Sequence, residues 1–542
     1  VAAEGQAAGV QAAEAPALEV PPPPPLAPLP LAPELKGERP RPNPAVQAPA
    51  ATSLDAELKP LAAPPSLALP TRTDQVQIGE LRPLGLSDVE TLAEVNSPAL
   101  KAVAMQVEQA KSRLRATIAS WYPSIDLSAG AFPALTNSYR FTSRPDGSVD
   151  PNSESYGESL QAGMDLTIRW DLINPSRVPE VAAARDTFER FRFEYMVQLR
   201  ELRLRVSQTY FQLQLADDTV RIGQESVRAS LVSLKDARAR FQAGVATKLE
   251  VLEAETQLAR DQQLLTNSLA QQSIRRRVLA RLLDLPQTVT PTAKDPARVL
   301  GTWIPSLQES ITAAYAIREE LDQVLLDVSI ANSRANAALG QVQPRLGIFN
   351  RFGWDRTNGQ PSGAFSTREI NEDQYTYGAD NAFGLDLRWN LFDGGAAAAS
   401  AREQRQRAEQ SRFEFADTRD LIRNEVEESF YTLLQNDRNI ATTSREVLSA
   451  REALRLARLR FQAGVTTQRE VVDNQRDLTQ AEVRYAQAVT DYNINLAELR
   501  RRTGLDRIAL CKPPVLPATK PAAVSPILVE PQPLRSACQA QS

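Results

Sequence analysis

Residues 199–245 read LRELRLRVSQTYFQLQLADDTVRIGQESVRASLVSLKDARARFQAGV. Every seventh position is large and apolar: Leu199, Val206, Leu213, Val220, Val227, Leu234, Phe241. The stretch closes in Arg240-Phe241-Gln242-Ala243-Gly244-Val245, and the same hexapeptide returns at Arg460 to Val465, 220 residues on. Counting back by sevens from Phe461 gives Leu454, Val447, Ile440, Leu433 and Val426. A period of seven held this long predicts a helix wound left-handed against a neighbour.

The positions three residues on are Leu202, Thr209, Ala216, Gly223, Ser230 and Ala237, then Ile422, Ser429, Asn436, Thr443, Ala450 and Ala457. Large residues on one seam with small or polar ones beside it suit helices laid side by side in a curved wall. An ordinary helical bundle is the alternative on heptads alone. Around the seam, the repeat implies one architecture built twice in 542 residues.

After Pro123 and again after Pro344 the period switches from helical to two. Ile125, Leu127, Ala129 and Ala131 alternate with polar or small residues, and a Ser/Asn/Gly-rich loop is expected over about 136–158. Then Leu160, Ala162, Met164, Leu166, Ile168, Trp170 and Leu172 alternate with residues that include Asp165 and Arg169. The second copy has Leu346, Ile348, Phe352 and Trp354, with Asn350 out of pattern, and Phe383, Leu385, Leu387, Trp389 and Leu391 against Asp386 and Arg388. Strands of about ten residues, apolar on one face, with interfacial Trp, match transmembrane barrel strands. A soluble sandwich strand also carries one apolar face. Only about four strands are present, however, and an open sheet in lipid leaves backbone groups unbonded. Three copies would supply twelve strands.

From each second strand the chain enters a very long helix. Pro175 to Gly244 leaves roughly 65 residues, about 100 Å at 1.5 Å per residue, three times the hydrocarbon thickness of a bilayer. Gly244 and Gly464 fit left-handed positions at hairpin tips. Helices return through Val251, Leu258, Leu265 and Leu279, interrupted at Gln272, and through Val471, Leu478, Tyr485, Tyr492 and Leu499. Each copy opens on a shorter helix with a capping box, Ser87 with Glu90 and Ser306 with Glu309, and the copies close at Leu285 and Leu505. The domains expected are a Pro/Ala-rich disordered segment over 1–80, structural repeats over 81–290 and 291–507, and a Pro-rich flexible tail over 508–542. The first segment lacks the apolar content to bury a core. It could act as a tether, or dock a partner or the cell wall.

Net charge is −4, with 62 basic and 66 acidic residues, and no basic stripe for nucleic acid is present. No run approaches the ~18 apolar residues of a membrane helix. A first residue of Val fits a processed, exported chain and equally a truncated one. Cys511 and Cys538 lie in the tail and could pair in an oxidising compartment.

The sequence resembles the TolC family of outer-membrane efflux ducts. The carriers are the doubled RFQAGV, followed by Lys248-Leu249-Glu250-Val251-Leu252 and Gln468-Arg469-Glu470-Val471-Val472-Asp473. The strand ends Arg169-Trp170-Asp171-Leu172 and Arg388-Trp389-Asn390-Leu391-Phe392-Asp393-Gly394-Gly395 also carry it. The resemblance runs from Leu86 to Leu505. It implies a homotrimer in the outer membrane, a twelve-stranded barrel, and a long helical barrel in the periplasm. It also implies a periplasmic adaptor and an inner-membrane pump as partners, meeting the tips at Arg240, Phe241, Gly244, Arg460, Phe461 and Gly464.

There is no His and no Gly-rich phosphate loop, and the cysteines lack zinc spacing, so neither an enzyme nor a metal or cofactor site is expected. Glu470 and Asp473 share a helix face. By resemblance they match acids that ring the periplasmic entrance, and six carboxylates crowded around a narrow opening in three chains would attract cations. Glu250 and Glu253 are their first-copy equivalents, and solvated surface acids are the alternative for all four. Phe461 and Thr466 stand where a tyrosine and an arginine help hold that entrance closed in the family. Asp165, Arg169, Asp386 and Arg388 are read as solvating the barrel interior. The function expected is export of drugs, solutes or proteins. A coiled-coil envelope tether and a selective porin are the competing readings.

Overall fold

A computed structural model describes residues 50–77, 79–140, 145–148, 155–360, 374–505 and 508–510. The first half runs β1 (Glu80–Leu84), α1 (Leu86–Asn96), α2 (Pro98–Ile118), β2 (Ser124–Arg140), β3 (Ser155–Ile173), α3 (Arg177–Gln242), α4 (Lys248–Leu282) and β4 (Val289–Ala293). The second runs β5 (Gly301–Trp303), α5 (Leu307–Ile317), α6 (Glu319–Gly340), β6 (Arg345–Gln360), β7 (Gln374–Arg388), α7 (Ala396–Gln462), α8 (Gln468–Thr503) and β8 (Ile508–Leu510). The order of elements recurs, and the 66-residue α3 and 67-residue α7 are each about 100 Å long.

The helices form a single-layer wall. Near the sheet α2 lies on α3, α3 on α6, and α6 on α7; toward the far end the order is α4, α3, α8, α7. One border is therefore α7 throughout, and the other is α2 above and α4 below. The small positions beside the heptad seam are buried as expected, Thr209, Ala216, Ser230 and Ala237 among them. A side chain at Gly223 would meet the Leu265 backbone at 3.2 Å, so the missing β-carbon sets how closely α4 approaches α3. At Gln272 the seam is polar because the amide donates to Asp217 of α3 at 2.7 Å.

The sheet order is β2-β3-β6-β7, antiparallel throughout. Its register puts Ile125, Ile168, Asn350 and Phe383 in one row and Leu127, Leu166, Phe352 and Asn381 in the next. One face is thus apolar across all four strands. Asn350 sits in it with its amide donated to Asn381 at 2.9 Å, so each offsets the other's polarity. The strands run 15 to 19 residues, longer than the ten expected, and the loop expected over 136–158 is strand at both ends. Alternation persists through those polar residues, and ladder hydrogen bonding does not require apolar side chains.

Several other expectations are corrected. Ser87 does not cap α1; Gly85 does, its N–H donating to Asp88 at 3.0 Å, while Glu90 turns inward to accept from Ser207. The Ser306 and Glu309 box is present. Each short helix is two: Pro98, lacking an N–H, starts α2, and Arg318 is extended between α5 and α6. The segment expected to bury no core does bury apolar side chains over 54–61. Leu58 and Leu61 are 7% and 2% exposed against α1, and Asn96 donates to the Leu61 and Leu283 carbonyls and accepts from Ala63 N–H. Three leucines at 54, 58 and 61 give that strap one apolar face despite its prolines. The tail begins with β8, which pairs with β5, as β1 pairs with β4. Cys511 and Cys538 lie outside the described residues. Among the described residues no helix is long and apolar enough to cross a membrane.

Candidate functional site: the paired helix tips

Both long hairpins turn identically. Ala243 caps α3, Gly244 takes φ +75°, and the Val245 and Gly244 N–H groups donate to the Arg240 and Phe241 carbonyls at 3.0 Å each. Gly464 repeats the φ of +75°, with Val465 and Gly464 donating to Arg460 and Phe461 at the same distances. This is the left-handed helix stop expected at both glycines, and each would-be β-carbon faces open space. RFQAGV is therefore one folding unit used twice.

The two units meet. The Arg240 guanidinium lies 4.3 Å from the Phe461 ring centroid and donates to the Phe461 carbonyl at 3.2 Å. Gln468, buried, donates to Ser233, and Ser226 meets Thr479 at 3.1 Å. These ties join α3 to the second hairpin. Beside them a groove of about 670 Å³ opens between the hairpins, lined by Arg228, Asp236, Gln257, Arg458 and Gln475. The cross-hairpin partners of Arg240 and Gln468 were not legible, because nothing local specifies contacts 221 and 235 residues apart.

The four candidate acids part ways. Glu250 closes the α4 cap, accepting from the Thr247 N–H at 3.2 Å. Glu253 makes no ion pair among the described residues. Glu470 instead pairs with Arg460 at 2.9 Å and accepts from the Thr466 hydroxyl. Asp473 lies between Arg469 at 3.8 Å and Arg476 at 3.4 Å. So each acid of the expected entrance pair carries its own arginine within the chain. Arg460 and Glu470 flank a left-handed turn ten residues apart, yet Arg240 and Glu250 have the same spacing and do not pair, so spacing alone does not give the pair.

In the sheet, Asp165 pairs with Arg351 at 2.9 Å on the polar face, in the row that holds Ser128, Gly353 and Asp380. Asp386 faces Gly347, and Arg388 faces Arg345. Trp170 and Trp389 mark one end of the apolar face, and Tyr375 and Tyr377 the other. Leu387 to Tyr377 spans ten residues, about 33 Å along the strand and about 25 Å at the usual barrel tilt, the height of an outer-membrane apolar band.

A second buried cluster lies at the α5–α6 break. Glu320 accepts from Arg318 and Arg501, each at 2.8 Å, and Glu425 accepts from Arg318 and Arg502. Burial alone would raise the Glu320 carboxyl, but the guanidiniums more than offset it and hold it well below its ordinary range. Glu425 is lowered by the same balance. In the middle of α1, against α3, burial pushes Glu90 up, Arg500 and Ser207 only partly countering it. The run Arg500-Arg501-Arg502 was the available signal for this cluster. Among the described residues no group of acids, His or Cys could hold a metal ion.

Comparison with known proteins places this geometry. The family model described as "Outer membrane efflux protein" matches residues 91–284 and 311–505. The alkaline protease secretion protein AprF of Pseudomonas aeruginosa is 25% identical over 427 residues, 78% of this chain and 85% of that protein. Outer membrane protein TolC of Vibrio cholerae is 23% identical over 437 residues, 77% and 90%. Among solved structures, the outer membrane protein VceC from Vibrio cholerae superposes with a TM-score of 0.60 at 15% identity, covering 78% of this chain and 96% of that one.

Proposed function

The chain belongs to the outer membrane efflux protein family, and from that membership we propose that three copies close into one duct, a twelve-stranded barrel in the outer membrane continued by a helical barrel in the periplasm. The family sets the location and the coarse role, an outer-membrane export duct. The observation that carries the assembly is the sheet. Its apolar face runs in register over four strands, and neither β2 nor β7 has an outer partner among the described residues. In lipid those edges must be paired, and four strands are too few to close alone. The helical wall has the same two borders as the sheet.

The duct passes small solutes or proteins delivered by an inner-membrane pump through a periplasmic adaptor that meets the Gly244 and Gly464 tips. AprF, by its name, serves protease secretion, which supports protein cargo as one member of that set. Cargo selection belongs to the pump. Glu470 and Asp473 lie at the tip and would face the periplasmic opening, where Arg460, Arg469 and Arg476 hold down their charge. The tip ties made by Arg240 stand in for the tyrosine and arginine that Phe461 and Thr466 replace. No enzymatic role is assigned.

A tether needs no amphipathic sheet, and a porin needs no 100 Å helices. The test is conductance in a planar bilayer with particle symmetry examined on the same sample. Three-fold particles that conduct are expected; a closed monomer or a silent bilayer overturns the proposal.

A further inference from the structure

The two RFQAGV units have the same backbone but different surroundings. Phe461 is 8% exposed, covered by Arg240 of the other hairpin. Phe241 is 46% exposed. Among the described residues, Arg460, the counterpart of Arg240, has no ring beneath it and turns to Glu470 of its own hairpin at 2.9 Å. Among the described residues, one tip thus presents an exposed ring, and the other an arginine engaged on its own hairpin.

We propose that Arg460 of one chain lies over Phe241 of the partner subunit, the same contact that Arg240 makes with Phe461 inside the chain. The inference rests on the three-copy reading above and adds the residues that join one copy to the next at the tips. The occupant is a second copy for a geometric reason. Inside the chain α3 of the first hairpin abuts α8 of the second, with α4 and α7 left as the outer borders. Continuing the wall brings α7 of one copy to α4 of the next, so the second tip of one chain meets the first tip of its neighbour. Arg460 lies in the last turn of α7, and Phe241 in the last turn of α3 just before the link to α4. Because the hexapeptide and its turn are the same in both tips, a guanidinium that can reach one ring and its carbonyl can reach the other. Arg460 then divides its donors between the partner ring and Glu470, or leaves Glu470 to the opening.

The experiment uses the full chain in detergent, with Cys511→Ser and Cys538→Ser as background. Arg460→Cys with Phe241→Cys, treated with a short bismaleimide, is expected to give a ladder ending in covalent trimer. Arg240→Cys with Phe461→Cys is expected to crosslink within the chain without a rise in mass. A sample that is trimeric by light scattering yet yields no interchain product overturns the contact and leaves the assembly standing. A monomeric sample overturns the assembly and this inference with it. A double-mutant cycle of Arg460→Ala and Phe241→Ala on trimer dissociation is the second measurement. Several-fold coupling supports the contact, and strict additivity overturns it.

Discussion

Arg240 reaches from the first hairpin to cap the ring of Phe461 in the second, 4.3 Å from its centroid, while its Nη1 donates to the carbonyl of that same residue at 3.2 Å. A flat fork can stack on the ring while donating in its own plane; an ammonium, a point charge, has no plane to stack. Arg240→Ala should therefore loosen the two tips from each other. The stacked pair contributes about 1 kcal/mol at a half-exposed site, so amide exchange should quicken several-fold in the last turns of α3 and α7 and nowhere near the sheet. Arg240→Lys should restore only part of the protection. Unaltered exchange in both variants would remove the tie from the list of things holding the tips together.

Gly464→Val isolates backbone strain. No atom lies within 4 Å of the added β-carbon, so packing is not disturbed, but φ of +75° is costly for a branched residue. The expected cost is about 1–2 kcal/mol, taken as fraying of the last turn of α7. Trimer mass should be unchanged while adaptor capture weakens. Normal adaptor binding with a demonstrably altered tip would remove the tip from that interface.

Divalent block reports on the entrance acids. Glu470→Ala with Asp473→Ala should weaken periplasmic-side block, and Glu250→Ala with Glu253→Ala should not, since Glu250 is spent on the α4 cap. Because Arg460 pairs with Glu470 at 2.9 Å, Arg460→Ala should strengthen block, and added salt should weaken it in all variants. Equal block constants across the set would put these acids on the outer wall.

The α5–α6 break and the middle of α1 should answer pH with opposite sign. Glu320 and Glu425 have folded pKa values below the ordinary 4.5. Their stabilisation is complete above 4.5 and is lost as pH falls through the folded values. Glu90 is raised, so its cost is present above its folded pKa and is relieved on acidification. Amide exchange compared at one acidic pH should show the α5–α6 junction opening before α1 does. Simultaneous opening would contradict the assignment, and Glu320→Gln should flatten the acid response.

The internal ladder sets a register for the seam between copies. Trp170 pairs with Ile348; carrying that pairing onto the matching positions, Trp389 and Leu127, sets Leu387 opposite Ala129 of the partner subunit. Leu387→Cys with Ala129→Cys should form interchain disulfides, and Leu387→Cys with Leu127→Cys should not, being one pleat out of register. The reverse result would mean the barrel closes with a different stagger.

Much of this protein was readable residue by residue, because its strongest signals are periodic. Heptads from Leu199 to Phe241, alternation from Leu160 to Leu172, and glycines needing positive φ at 244 and 464 depend on local geometry alone. A repeated hexapeptide likewise announces a repeated turn. Those features determined the long helices, the amphipathic sheet, the tips and the family. Tertiary structure decided what periodicity cannot encode. Leu58 and Leu61 look like part of a proline-rich tail until α1 provides a surface to bury them. Glu250 and Glu470 hold equivalent places, yet one caps a helix and the other pairs with an arginine, because the choice depends on which charged group arrives from across the turn. Arg240 finds Phe461 through an encounter 221 residues away in sequence, set by how two hairpins lie together and by nothing in the spacing of either one.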